Sequence, residues 1–85
     1  MNENRYAKAL KTIGMEVSEP IEMLGARYQV ATISAGYSEL RVFFNEKGTA
    51  RLDKPNGTKK WLAEKSPAQL LAVVKQTLSF YNFGK

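Results

Sequence analysis

Four turn signals divide residues 21–62 into short stretches of alternating apolar and polar side chains. Each signal contains glycine together with residues that favour chain reversal. The signals are Gly25-Ala26, Ala35-Gly36-Tyr37, Asn45-Glu46-Lys47-Gly48-Thr49 and Lys54-Pro55-Asn56-Gly57-Thr58. Turns at this spacing predict an antiparallel meander of three to four strands over about residues 21–62.

Each turn fixes which residues face each other across its hairpin, so the inward faces implied by successive turns should agree. A one-residue slip would invert a whole strand. The turn at 45–49 pairs Phe44 with Ala50, Val42 with Leu52, Phe43 with Arg51 and Arg41 with Asp53. A three-residue loop at 35–37 pairs Thr32 with Leu40, Val30 with Val42 and Tyr28 with Phe44, and a two-residue loop at 25–26 pairs Met23 with Tyr28 and Ile21 with Val30. All three registers turn one apolar set inward: Ile21, Met23, Tyr28, Val30, Leu40, Val42, Phe44, Ala50 and Leu52.

The turn at 54–58 returns the chain as a fourth strand over Thr58 to Leu62, with Trp61 beside Arg51. This register points Lys60 inward, so a short helix capped by Thr58 stays open as an alternative.

Helices are predicted on both sides of the meander. Asn2 or Asn4 can cap a first helix in which Tyr6, Leu10 and Ile13 recur on one face, with Gly14 at its end. Ser66, Pro67 and Gln69 form a capping box with proline at the first helical position, which opens a helix over about residues 67–81. One apolar sheet face and two amphipathic helices predict an α+β fold, a two-layer sandwich that spans residues 1–85 as a single domain.

Composition narrows the classes of protein further. The chain has 85 residues and no cysteine, so a small core must rest on packing alone or on a second subunit, and a homodimer is possible. The polar N-terminus and the lack of a long apolar run favour a cytoplasmic protein with no membrane segment. Residues 1–40 carry a net charge of −1 and residues 41–85 a net charge of +6, which suits a polyanionic partner and also suits simple solubility.

Enzymatic chemistry is not expected. Histidine and cysteine are both absent, which removes the commonest general base, metal ligand and nucleophile. No pair of carboxylates is placed for acid–base work or for a hard cation. We therefore expect a protein that binds a partner, with no cofactor, no metal site and no catalytic residue.

The outward face of the meander carries the strongest functional signal. Gln29, Phe43, Arg51 and Trp61 line up across the strands, next to a row of Arg41, Asp53 and Lys59. Aromatic rings beside cationic groups on an open sheet can stack unpaired bases, and lysines in the neighbouring loops can contact phosphates. The predicted nucleic-acid contact set is Arg41, Phe43, Lys47, Arg51, Lys54, Lys59, Lys60 and Trp61. Ordinary cross-strand pairing explains the same residues equally simply.

The last helix offers an alternative function. Val73, Phe80 and Phe83 project away from its main apolar stripe. Surplus apolar surface on a small domain usually meets a partner. The alternative is a small regulator or inhibitor, of a kind that phages and plasmids also encode, that binds another protein through these three residues.

Two families share the order of elements. Three strands followed by a proline-capped helix, with Lys54-Pro55-Asn56-Gly57 before it, resemble the dimeric transcriptional coactivators that bind single-stranded DNA on a curved sheet. The likeness covers Tyr28 to Leu78 as a pattern, and the first helix is an addition. A helix, three strands and a helix are also the order of double-stranded RNA-binding domains, although Lys59-Lys60-Trp61-Leu62-Ala63 departs from their Lys-Lys-x-Ala-Lys cluster and Pro67 would interrupt that helix. Neither likeness assigns the chain to a family.

Overall fold

The computed structural model describes residues 4–23, 25–81 and 83. An N-terminal helix and a C-terminal helix flank an antiparallel sheet, so the predicted α+β fold is confirmed. The elements are α1 (Arg5–Lys11), β1 (Glu16–Val17), β2 (Ile21–Met23), β3 (Ala26–Ala35), β4 (Ser38–Phe44), β5 (Ala50–Asp53), β6 (Lys59–Leu62) and α2 (Pro67–Phe80). The sheet order is β1-β3-β4-β5-β6, and β2 pairs with β3 as well. The short strand β1 is an addition to the predicted meander, which begins at Ile21.

Side-chain caps begin both helices where the sequence predicts. The Asn4 side chain accepts hydrogen bonds from the backbone nitrogens of Tyr6 at 2.7 Å and Ala7 at 3.2 Å, so Asn4 is the cap of α1. Ser66 Oγ accepts from the Gln69 nitrogen at 3.2 Å, while Gln69 Oε1 accepts from the Ser66 nitrogen at 3.0 Å. This reciprocal pair satisfies two helix-end donors at once and fixes the start of α2.

The last three strands follow the predicted register. Phe43 faces Arg51 and Arg41 faces Asp53 across β4 and β5, and Arg51 faces Trp61 across β5 and β6. The segment at 59–62 is therefore a strand, and the helix alternative is wrong. Lys60 opposes the fully buried Leu52 but remains exposed itself, because β6 forms the edge of the sheet.

The register between β3 and β4 differs from the prediction by one residue. Ala35 pairs with Ser38, so the reversal takes two residues and not three, with Gly36 at a φ of 63°. Val30 consequently faces Phe43 on the outer side of the sheet, and Ala31 points inward with no exposed surface. The predicted pairings of Val30 with Val42 and of Tyr28 with Phe44 are wrong, because a one-residue change of loop length inverts a strand.

The pairing of β2 with β3 also differs. Met23 pairs with Ala26 and Ile21 with Tyr28, so the register is shifted by two residues from the predicted one. Ile21 was expected in the core but is 41% exposed. Tyr28 is buried, as expected, although it lies outside the main core cluster.

The core lies between the inner sheet face and the two helices. Leu40, Val42, Phe44, Ala50 and Leu52 have no exposed surface, which confirms the predicted inward face of β4 and β5. The helices and the segment after α1 contribute the covering side chains: Tyr6, Ala7, Leu10, Met15, Leu70 and Val74.

The turn between β4 and β5 is tied to both helices through Gly48. The Gly48 carbonyl accepts from the Lys65 nitrogen at 3.2 Å, and the Tyr6 hydroxyl donates to the Lys65 carbonyl at 2.6 Å. Gly48 is buried and has a φ of 90°. A Cβ atom here would overlap the backbone of Lys65 and the Tyr6 hydroxyl. Only glycine allows this approach of three segments.

We expect Gly48→Ala to lower the free energy of unfolding by more than about 2 kcal/mol, since a left-handed conformation costs an alanine about 1 kcal/mol and the overlap with Lys65 adds to it. Urea unfolding followed by far-UV circular dichroism measures the loss. Gly57→Ala is the matched control, because Gly57 has a φ of 89° and a Cβ atom added to it would have no neighbour within 4 Å. Equal losses in the two variants would contradict the tight contact at Gly48.

Candidate nucleic-acid interface

Four strands place one row of side chains on the outer sheet face, away from the helices. Strand pairing sets Val30 beside Phe43, Phe43 beside Arg51 and Arg51 beside Trp61. Gln29, which was predicted in this row, pairs instead with Phe44, and its side-chain nitrogen donates to the Ser18 carbonyl at 3.1 Å. The outer row is thus more apolar than the sequence indicated, because Val30 replaces a polar residue.

Arg51 lies over two aromatic rings in this row. Its guanidinium carbon is 4.4 Å from the centre of the Phe43 ring and 5.6 Å from the Trp61 ring. The same guanidinium donates to both carboxylate oxygens of Asp53, at 2.8 and 3.1 Å. A two-bond arginine–carboxylate pair fixes the guanidinium plane, and the cation adds attraction to the rings.

The structure therefore makes Arg51 part of the scaffold. Only 18% of the Arg51 side chain and 22% of the Asp53 side chain are exposed. Its charge is offset by Asp53, so Arg51 has little free charge to offer a phosphate. Phe43 is half-buried beneath it. The structural explanation of these two residues, as a cross-strand pair that holds the sheet, is therefore supported by their contacts.

Trp61 is the aromatic residue of this row that stays open. It lies on edge strand β6 with 52% of its surface exposed. Lys59 and Lys60 precede it on the same strand, and both are exposed. Lys54 begins the turn that leads into β6, where its nitrogen donates to the Thr58 carbonyl at 2.9 Å. The sheet edge thus combines one exposed indole with three ammonium groups.

These three lysines have no ion-pair partner among the residues that the structure describes. Arg41 differs, because its Nε atom is 2.9 Å from Glu39 Oε1 and its charge is partly offset. Lys47 differs in position, since it lies in the turn at the opposite end of β5. The predicted contact set is therefore split. Lys54, Lys59, Lys60 and Trp61 lie at the β6 edge, where Lys59 and Trp61 share the outer face and Lys60 lies on the helix side. Arg41 lies nearby in an ion pair, and Lys47 lies apart.

A groove of about 490 Å³ occupies the other half of the outer face. Its apolar lining comes from Val17, Ile21, Val30 and Phe43. Its polar rim consists of Glu16, Ser18, Thr32, Glu39 and Arg41. The sequence prediction missed this groove because it placed Ile21 and Val30 in the core.

The residues of the alternative, protein-binding site differ in exposure. Val73 and Phe83 pack against the core cluster, and both are only partly exposed. Phe80 alone remains open, with 76% of its surface exposed and its ring 4.9 Å from that of Tyr81 in an edge contact. Of the three predicted residues, Phe80 is therefore the one with most of its surface exposed.

No protein-family model, curated protein or solved structure matches the chain. In the described ranges, no helix is long and apolar enough to cross a membrane. Nor do three side chains of the histidine, cysteine, aspartate or glutamate types come together there in a way that could hold a metal ion.

We expect Arg51→Lys to lower the free energy of unfolding by about 1 kcal/mol, because lysine lacks the planar fork that contacts Asp53 and the rings together. Chemical denaturation measures this loss in the free energy of unfolding. Arg41→Lys is the control, since the Arg41 and Glu39 side chains are 53% and 42% exposed and exposed pairs contribute little. A loss at Arg41 as large as that at Arg51 would contradict the structural role of the Arg51 stack.

Proposed function

We propose that this chain is a non-enzymatic module that binds single-stranded nucleic acid along the β6 edge of its sheet. Trp61 stacks with a base, and Lys54, Lys59 and Lys60 contact the flanking phosphates. The observation that carries the proposal is an exposed indole at one edge of the sheet, among three lysines that have no carboxylate partner in the described part of the chain.

The exposed indole favours a single strand over a duplex. A base can stack on a side chain only if its face is free, and in a duplex the neighbouring bases occupy both faces. Trp61 offers such a platform at the rim of the sheet, where a flexible strand can approach from the side. The Arg51 guanidinium supports the indole from the sheet side at 5.6 Å. The stacking surface is therefore partly ordered before a ligand arrives.

The lysines supply attraction that does not depend on base identity. Phosphate contacts dominate the affinity of most nucleic-acid-binding proteins. Lys54, Lys59 and Lys60 belong to the half of the chain that carries a net charge of +6. Asp53 is already engaged by Arg51, so it offsets the nearby lysine charges less than a free carboxylate would. We assign Phe43 and Arg51 to support of the platform, and Arg41 and Lys47 to weaker, longer-range attraction.

We expect a short single-stranded oligonucleotide to quench the fluorescence of Trp61, which is the only tryptophan in the chain. Three phosphate contacts predict a slope of about −2 for the logarithm of the binding constant against that of the salt concentration, at about 0.7 per contact. Trp61→Ala should weaken binding by about 1–3 kcal/mol, the range for one base stack. Because this variant has no indole, its binding is measured by anisotropy of a labelled oligonucleotide.

Two double variants distinguish binding at the β6 edge from binding through the overall positive charge of the protein. Lys59→Ala with Lys60→Ala should reduce the salt slope by about 1.4, which corresponds to two lost contacts. Lys8→Ala with Lys75→Ala removes the same charge from the helices and should leave the slope nearly unchanged. Equal effects of the two pairs, or no binding to the parent protein at low salt, would refute the proposal. A duplex of equal length should bind more weakly than the single strand.

A further inference from the structure

The two halves of the outer sheet face differ in form, because one carries an exposed indole and the other a groove. β4 is the middle strand of the order β1-β3-β4-β5-β6. On one side of it Trp61 projects from β6, 52% exposed, and on the other side lies the 490 Å³ groove. The floor of the groove is apolar, as an indole requires, and Ile21 at its margin is 41% exposed. The surface therefore carries a projection and a hollow on either side of one central strand.

The two halves also differ in charge. Lys59 lies on the outer face of β6, whereas Glu16 stands at the rim of the groove beside the ion pair of Glu39 and Arg41. One row of paired residues runs from Glu16 through Thr32, Arg41 and Asp53 to Lys59, so the acidic and basic ends lie at the same height along the strands. The Trp61 row runs beside it. Trp61 thus lies near the positive charge of Lys59, and the groove lies near the negative charge of Glu16.

We infer that two copies of this chain associate face to face through their outer sheet faces, about a two-fold axis that runs parallel to the strands over β4. This axis places β6 of each copy over β1 and β3 of the other. Trp61 of one copy then enters the groove of its partner, and Lys59 meets the partner's Glu16. The contact is made twice, as in any two-fold interface.

The charges favour this axis over one perpendicular to the strands. An axis perpendicular to the strands would lay β6 on β6 and bring Lys59 of one copy near Lys59 of the other, which is repulsive. The parallel axis lays Lys59 on Glu16 of the partner. Phe43 meets its own copy near this axis. Arg41 approaches its copy too, but Glu39 at 2.9 Å offsets that charge.

The inference does not depend on the proposed function, although both use Trp61. Association is therefore measured by sedimentation equilibrium in the absence of nucleic acid. We expect a dimer with a dissociation constant in the micromolar range. Trp61→Ala should weaken association at least about tenfold, since a large aromatic side chain that fills a pocket of the partner carries much of the affinity of an interface. Far-UV circular dichroism confirms that this variant keeps its fold.

A charge exchange tests the orientation of the two copies. Lys59→Glu and Glu16→Lys should each weaken the dimer about tenfold, because each places like charges together in both symmetric contacts. The double variant restores opposite charges and should return to within about threefold of the parent, as a double-mutant cycle of an interacting pair requires. Lys75→Glu on α2 changes the net charge as Lys59→Glu does and should have no effect. A parent protein that stays monomeric up to about 1 mM, or a double variant no better than the single ones, would overturn the inference.

The two proposals can fail separately. If only the dimer is wrong, the parent sediments as a monomer and still binds the oligonucleotide through Trp61. If only nucleic-acid binding is wrong, the charge exchange restores the dimer and the oligonucleotide has no effect on it. If both are right, a single-stranded oligonucleotide dissociates the dimer, and the double charge variant dimerises but binds the oligonucleotide more weakly than the parent.

Discussion

The contact of Gly48, Lys65 and Tyr6 determines how the two layers of this small protein fit together. Lys65 uses its backbone nitrogen toward the β4–β5 turn and its carbonyl toward the Tyr6 hydroxyl of α1. The next residue, Ser66, is the cap of α2. The start of α2 is therefore fixed relative to both α1 and the central hairpin. A chain without cysteine has no disulfide to support its fold, so packing has to hold these elements together. At this contact only glycine lets the Lys65 backbone and the Tyr6 hydroxyl approach so closely.

The sequence predicted the elements whose signals are local. Asn45 shows this best: its side chain accepts from the nitrogens of Lys47 at 2.9 Å and Thr49 at 3.1 Å, so the turn chemistry alone fixes the β4–β5 register. Ser66 and Gln69 fix α2 in the same way. In these places the interactions that form the element join residues only a few positions apart. The sequence pattern was therefore sufficient to predict the element and its start.

The sequence failed where a loop length depended on tertiary context. A two-residue and a three-residue reversal around Gly36 are both compatible with the residues there, and each gives β3 an apolar side. The structure buries Ala31 and turns Val30 outward. The agreement among the predicted registers was partly accidental. β3 carries apolar residues on both of its faces, so either register gives it an apolar inward side. The Lys65 contact and the groove were also unpredictable, since each joins segments distant in the chain.

The sequence predicted which residues lie side by side in the candidate site better than it predicted which of them contact one another. Phe43, Arg51 and Trp61 lie side by side as expected, because β4, β5 and β6 kept their register. What the sequence could not show is that Asp53 holds Arg51 with two hydrogen bonds. This pairing separates residues that support the surface from those that can contact a ligand. It moves the centre of the candidate site from the middle of the sheet to its basic edge.

Trp61 links the two proposals by competition. An indole can lie in a partner's groove or stack on a base, but not both, so each association reduces the fraction of chain available to the other. The apparent affinity for a single strand then falls as the protein concentration rises above the dimer dissociation constant. Lys59 strengthens the same competition, because it would pair with Glu16 of a second copy or with a phosphate. The dimer covers an exposed aromatic surface on the free protein, and a nucleic acid that displaces it covers the same indole in another way.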